Sequence, residues 1–489
     1  MPHGIVAKGS LWNLAGLVLA LAAALLAVPF IVRGLGVERF GVLALTWAII
    51  GAASMLDFGI GRALTQVVAS RKAAGATADL AAIVLTATAA LGVLGVLGAL
   101  ALLAAAAPLA HYVFRVGPAV AAEAERAIAL LGVSLPFVLC GSALHGVLEG
   151  HLRFDLSNMV RVPLMLLNYL VPLAILPFTA DLGWIVGGTV LARGLALAAY
   201  GVLVWNIMGR QAPAAMAPIA ALRPVLALAG WMSVSTIVAT TIVYLDRFVL
   251  AALDSMSAVA FYATPFELVT RLSLVAGAIG AALLPVFSSL GRTSAPEVEK
   301  VFSRGLRYVV LLVFPATALI VLFAADGLAL WLDQRFAEAS TRIAQILAAG
   351  IFVNSLAIVP LIFLYGAGRA DTVARLHLAE LPLYGLLLWE LVNRFGAEGA
   401  ALAWTFRVAV DAALLFVLAR RFHPSGCPPL WRVGGIMGGG LAILALGIAL
   451  PAGNARAVYG VLCLGAFAAY AWLGLPSREE RAAERRRRS

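Results

Sequence analysis

The chain has 489 residues, of which 63% are hydrophobic and 12% charged, and its mean hydropathy is +1.00. Soluble domains carry about 25% charged residues, so a water-soluble fold is excluded and the bilayer must be the solvent. The net charge of +11 does not mark a nucleic-acid binder, because the basic residues lie between apolar runs and in the tail SREERAAERRRRS, where loop topology puts them.

A membrane crossing needs about 20 predominantly apolar residues. In chain order such runs fall at roughly 10–33, 41–61, 79–106, 127–149, 159–179 and 183–208. A second series falls at roughly 224–246, 258–288, 306–332, 340–366, 372–394 and 397–420, and two more at roughly 433–451 and 456–475. The first run is too long for a signal peptide and no small-residue cleavage site follows it, so it is expected to stay as a helix. The predicted fold is an all-α polytopic membrane protein of about 14 transmembrane helices. The connections are short. The longest outer one, roughly 107–126, leaves no room for a folded extramembrane domain.

Counted on these spans, 23 of the 35 Lys and Arg face the cytoplasm when both termini are inside, nine face outward, and Arg193, Arg271 and Arg407 lie within spans. The positive-inside rule therefore predicts cytoplasmic termini. The chain also reads as a duplication. Trp12 and Trp231 match at a shift of 219, as do Arg161-Val162-Pro163-Leu164 and Glu380-Leu381-Pro382-Leu383; Arg39-Phe40-Gly41 and Ala260-Phe261-Tyr262 match at 221. Six spans per copy would set the copies parallel, an arrangement suited to alternating access about a midplane site. The expected organisation is two pseudo-symmetric six-helix bundles, 1–210 and 211–422, two additional helices at 423–475, and a basic cytoplasmic tail at 476–489.

An ionisable group at the centre of a span costs about 2.5–3.5 kcal/mol, so each needs a reason. On the seventh span Ser233, Thr236, Thr240 and Tyr244 stack on one face at spacings of 3, 4 and 4, and Asp246 and Arg247 close its outer end. The stripe reads as a cavity wall, although Ser and Thr also bond to their own or neighbouring helices. Glu267 and Arg271 on the eighth span are four residues apart with the acid first, the favourable order for an ion pair. Arg407 and Asp411 on the twelfth have the reverse order. Each pair serves either to ease insertion or to line a cavity or switch. Arg193 has no acid nearby in sequence, and Asp57 and Glu149 lie near inner ends, where they can snorkel.

Other chemistry finds no support. Gly92, Gly95 and Gly98 and the run Gly434 to Gly440 suit helix packing, and no P-loop lysine follows either. Cys140, Cys427 and Cys463 are scattered, and His145 and His151 lack metal spacing, so no disulfide framework, metal or cofactor is expected. No nucleophile signature stands out, which argues against an enzyme.

The stretch IVRGLGVERFGVLALTWAIIGAASMLDFGIGRALTQVVA (31–69) resembles the opening of bacterial polysaccharide flippases of the multidrug/oligosaccharidyl-lipid/polysaccharide exporter superfamily. YLDRFVLAALDSMSAVAFYATPFEL (244–268) and VPLIFLYGAGRADTVARLHLAELPLY (359–384) resemble its seventh-to-eighth and tenth-to-eleventh passages, and the likeness runs over roughly 8–420. The resemblance implies two six-helix lobes around a cationic cavity in the bacterial inner membrane. It implies an undecaprenyl-pyrophosphate-linked oligosaccharide as cargo, and polymerase and chain-length machinery as possible partners. Arg271, Arg193 and Arg407 are the candidate phosphate contacts, with Ser233, Thr236, Thr240, Tyr244 and Asn13 lining the path and Glu267, Asp411 and Asp57 as charge partners or coupling groups. The first span carries Asn13 and no acid, so the cation coupling of drug-exporting relatives does not carry over by motif. The rival readings are a cation-coupled small-molecule exporter of the same fold and a membrane glycosyltransferase or polymerase on the same lipid carrier. A non-transporting scaffold would leave the buried charges unexplained.

Overall fold

The computed structural model describes residues 2–76, 79–114, 116–208, 216, 218, 222–290, 295–450 and 454–474; side chains of 2–14, 224, 227–236, 239, 290, 454, 457, 464 and 468–474 are outside the description. The side chains of the expected sites Asn13, Ser233 and Thr236, and the whole tail at 476–489, therefore lie outside the description. Among the described residues there are fifteen α-helices and no strand. In a bilayer only helices or closed barrels satisfy their own backbone hydrogen bonds, and among the described residues eleven stretches are long and apolar enough to cross one. By contacts the chain falls into two units, 1–260 and 261–489.

The first unit holds α1 (Pro2–Leu35), α2 (Val37–Ala53), α3 (Ile60–Ala73), α4 (Leu80–Pro108), α5 (Pro118–Gly150), α6 (Phe154–Ile175), α7 (Leu182–Met208) and α8 (Arg223–Leu253). Its core is built on α5, which packs against α3, α4 and α7. Small residues let these helices close up: a Cβ on Gly146 would run into the Gly61 carbonyl, and one on Gly95 into Pro136. The expected second span, 41–61, is interrupted. A 3₁₀ turn, Ser54–Asp57, follows α2, and Phe58 and Gly59 both take positive φ before α3 begins.

Ionic contacts fasten one end of this unit. Arg39 in the first turn of α2 donates from Nε and Nη2 to Glu123 of α5 at 2.9 and 2.7 Å, and the Leu182 amide at the start of α7 also donates to Glu123, at 3.4 Å. Glu38 accepts from the Gly117 amide at 3.1 Å, and Arg126 donates to Asp181 at 2.7 Å. Most of the stretch expected as a long outer loop is helix, since α5 begins at Pro118.

The boundary between the units falls within α9 (Met256–Thr270). The second unit continues with α10 (Ser273–Leu290), α11 (Ala295–Trp331), α12 (Gln334–Gly366), α13 (Ala370–Phe422), α14 (Leu430–Ala449) and α15 (Asn454–Gly474). Its centre is α12, which packs against α10, α11 and α13, and Phe287, Phe302, Phe363 and Phe416 interlock with ring centroids 5.4–6.1 Å apart. α13 has 53 residues, which as one rod would be about 80 Å long against a hydrocarbon core of about 30 Å. It breaks at Gly396, φ 55° and ψ −132°, a conformation essentially reserved for glycine, and this divides it into arms 370–395 and 397–422. The expected eighth span, 258–288, is also not one rod. The ladder tightens to i→i+3 bonds around Arg271 and Leu272, separating α9 from α10.

Candidate functional site

The charges inside the crossing helices are the candidate site, and they divide by how fully each is satisfied. On α8, Thr240 and Tyr244 are half-buried. Tyr244 lies against Gly51 of α2, where a Cβ would collide with its ring, so this part of the stripe faces a neighbouring helix of the first unit. Asp246 is fully buried and Arg247 nearly so; they pair at 3.2 Å, Asp246 also accepts the Arg247 amide at 2.7 Å, and Arg247 donates to the Val243 carbonyl at 2.9 Å. Beyond α8, burial raises the Asp254 carboxyl above its usual range, and a Ser255 hydrogen bond opposes the rise.

Arg193 of α7 is buried, and its donors go to neutral groups, Thr189 O at 3.0 Å and Asn168 Oδ1 of α6 at 3.1 Å. No described carboxylate pairs with it. Asp57 accepts the Gly59 amide at 2.8 Å, which closes the turn that leads into α3.

Glu267 and Arg271 form the expected ion pair, 3.1 Å, and remain accessible, with side chains 48% and 31% exposed. The pair stands at the α9–α10 break, near the middle of the 34-residue stretch Met256–Ser289.

The reverse-order pair expected within the twelfth span is replaced by a cross-arm arrangement. Arg407 pairs with Glu380 at 3.6 Å and Asp411 with His377 at 3.3 Å, one partner from each arm of α13. The physical reason is the fold at Gly396, which lays the arms alongside each other. The Arg407 guanidinium also sits over the Tyr384 ring, 5.6 Å from its centroid. Glu380 and Asp411 are each 6% exposed, yet both Glu380 oxygens and Asp411 Oδ1 have no hydrogen-bond donor. Sequence reasoning met Glu380 only as part of a repeat match and did not single out His377. The available signal was an acid inside the apolar run 372–394, with His377 three residues before it on the same helix.

The polysaccharide biosynthesis protein family model matches residues 6–291, more than half of the chain. The chain belongs to that family. This family member is 27% identical to "Putative O-antigen transporter" of Shigella flexneri over 410 residues, 84% of this chain and 96% of the relative. Among solved structures it is similar to an inward-facing multidrug resistance MATE family transporter of the MOP superfamily, with TM-score 0.72, 16% identity, and coverage of 82% of this chain and 95% of that one. It is also similar to the lipid II flippase MurJ, with TM-score 0.71, 12% identity, and coverage of 96% and 100%. At these identities the structures establish the fold, that of MOP-superfamily transporters. The polysaccharide biosynthesis protein is thus an integral membrane protein whose named relatives are transporters and flippases rather than enzymes.

Proposed function

We propose that this protein moves an undecaprenyl-pyrophosphate-linked oligosaccharide, an O-antigen or exopolysaccharide repeat unit, from the inner to the outer leaflet. It works by alternating access around a cationic central cavity, in the bacterial inner membrane, with fourteen crossings and both termini cytoplasmic. The family match, the O-antigen transporter relative and the lipid II flippase neighbour support the substrate class. The fold would serve a small-molecule exporter equally well, as the MATE neighbour's name indicates; the family match favours the polysaccharide reading.

The observation that carries the proposal is the accessible Glu267–Arg271 pair at the mid-length break. Hydrocarbon penalises an exposed charge at that depth, so the pair belongs on a surface bathed by water or by polar cargo. A pyrophosphate in transit needs a basic partner at depth for the same reason. Arg271 is the first candidate, because its guanidinium can be reached, and Arg193 and Arg407 are covered by protein.

The test is surface polysaccharide in a complemented null strain, scored beside protein level in the membrane fraction. Arg271→Ala should abolish export at normal abundance, and Arg271→Lys should keep part of it, since one positive charge remains without the bidentate fork. The Glu267→Gln, Arg271→Gln double variant should stay inactive. If that double variant exports fully, Arg271 is outside the substrate path and Arg193 and Arg407 take its place.

A further inference from the structure

The segment that joins α2 to α3 has a polar exposed side with one aromatic ring in it. Over residues 54–66 the exposed positions are Ser54, Phe58, Arg62 and Gln66, and every position between them is buried or half-buried. α4, α5 and α8 pack against this segment, and the four exposed residues lie where these helices do not cover it. An exposed side suited to hydrocarbon looks different: on α4 the exposed positions include Leu85, Val93, Val96, Leu97, Leu100 and Leu103. Arginine and glutamine are penalised in lipid, so the side that carries them belongs against water or polar cargo. The segment also lies within the bundle rather than beyond its end. A Cβ on Gly61 would meet the Ser142 carbonyl of α5, and one on Gly150, the last residue of α5, would meet Thr65 and Val68. α3 therefore runs along the last turns of α5, and the eight residues from Ser142 to Gly150 set Phe58 back from that end by about 12 Å.

Phe58 is an unexpected residue for its position. Its backbone is left-handed, φ 48° and ψ 32°, and Gly59 follows at φ 70°. That conformation is disfavoured for any residue with a Cβ and is open to glycine. The chain uses glycine for the second of the two residues and phenylalanine for the first. The ring is 38% exposed and is the one apolar side chain among the four. Neither backbone ease nor burial calls for phenylalanine here, whereas contact with a ligand through the ring does.

The chemistry around the ring indicates which ligand. A sugar ring presents weakly positive C–H groups on its face and hydroxyls around its rim. The face of a phenyl ring is the negative part of its quadrupole, so the two faces attract. The rim needs donors and acceptors. Ser54 donates its hydroxyl to the Gly51 carbonyl at 2.6 Å, which leaves its oxygen as an acceptor; Arg62 offers N–H donors, and Gln66 offers both kinds.

We propose that Phe58 is a stacking platform for a sugar of the cargo's repeat unit, with Ser54, Arg62 and Gln66 binding the hydroxyls of that sugar. The proposal deepens the flippase reading and rests on it: Arg271 answers to the pyrophosphate and Phe58 to the saccharide.

The test is equilibrium binding to the purified full-length protein in lipid nanodiscs. One probe is undecaprenyl pyrophosphate carrying the repeat-unit oligosaccharide, extracted from cells that make the polymer; the other is undecaprenyl pyrophosphate alone. The wild type should bind the glycosylated lipid about tenfold more tightly, the scale of one aromatic stacking contact. Phe58→Gly relieves the backbone, so it should fold at least as stably, bind the bare lipid like the wild type, and lose the preference. Phe58→Tyr keeps the ring and should keep the preference. A preference unchanged in Phe58→Gly, or lost equally in Phe58→Tyr, overturns the proposal. Weaker binding of both lipids by Phe58→Gly with a lower unfolding midpoint also overturns it, because the ring is then a packing residue. If the wild type binds the two lipids equally, the sugar platform is wrong and the flippase reading stands. If it binds neither, that reading fails and the platform fails with it.

Discussion

Two groups of charge among the described residues are built in opposite ways. At the end of the first unit where α2, α5 and α7 begin, Glu123 receives two hydrogen bonds from Arg39 and one from the Leu182 amide, and Glu38 and Asp181 are also engaged by donors. On α13 the acids are more deeply buried, yet their pairs stand at 3.3 and 3.6 Å and both Glu380 oxygens lack a donor. Burial raises the value of every hydrogen bond and the penalty for every missing one. A stabilising device should therefore become more fully satisfied as it goes deeper. The second group does the reverse, as expected of charges kept for function rather than stability.

The largest effect expected from this contrast is at Arg407. Replacing it with Leu removes the one fixed positive charge beside two buried carboxylates, and breaking a buried pair in this way costs roughly 3–5 kcal/mol. Arg407→Leu should lower membrane abundance and the thermal unfolding midpoint in detergent. Adding Glu380→Gln should restore much of both, because the surplus negative charge is gone. An Arg407→Leu protein as stable as wild type would mean that the cluster is already neutral without Arg407.

The counterpart at the satisfied group is smaller. Arg39 is a third exposed and Glu123 is 14% exposed, so solvent screens part of the pair. Arg39→Ala should cost about 1–2 kcal/mol, allowing for hydrogen bonds to a charged group. The unfolding midpoint should drop while export per molecule in the membrane stays at the wild-type level. A loss of export at unchanged stability would move this group out of the structural class and remove the contrast.

How far the sequence anticipated these features depends on the range of the interaction. Apolar runs located the helices, because crossing length is a local property, and Glu267–Arg271 was legible because both partners lie on one helix at i,i+4. The α13 cluster was not legible. Its partners are separated by some thirty residues of chain and meet only because Gly396 turns the arms together. The Asn393-Arg394-Phe395-Gly396 sequence did mark a break there, but a break does not fix which residues of the two arms face each other. The α9–α10 break left still less trace: no Gly or Pro stands at Arg271–Leu272, and the change is one of hydrogen-bond register. Asn13, Ser233 and Thr236 lie outside the described side chains, so the comparison there stops with Thr240 and Tyr244.

The smallest predicted effect concerns Asp57, which is expected from sequence either to snorkel at an inner end or to serve as a charge partner or coupling group, and whose geometry puts it with the satisfied groups. Its Oδ1 accepts the Gly59 amide at 2.8 Å, between Phe58 and Gly59, both at positive φ, just before α3. Asp and Asn side chains both close such turns by accepting from the backbone two residues on. A coupling acid would need its negative charge and its ability to bind a proton, and Asn has neither. Asp57→Asn keeps the acceptor and removes the charge; Asp57→Ala removes both. If the turn is what Asp57 serves, Asp57→Asn should export polysaccharide at close to the wild-type level, and Asp57→Ala should lose roughly 0.5–1 kcal/mol of stability with only a modest fall in surface polymer. If both variants abolish export at full membrane abundance, Asp57 is part of the coupling machinery, and hydrogen-bond satisfaction does not separate structural from functional charges in this protein.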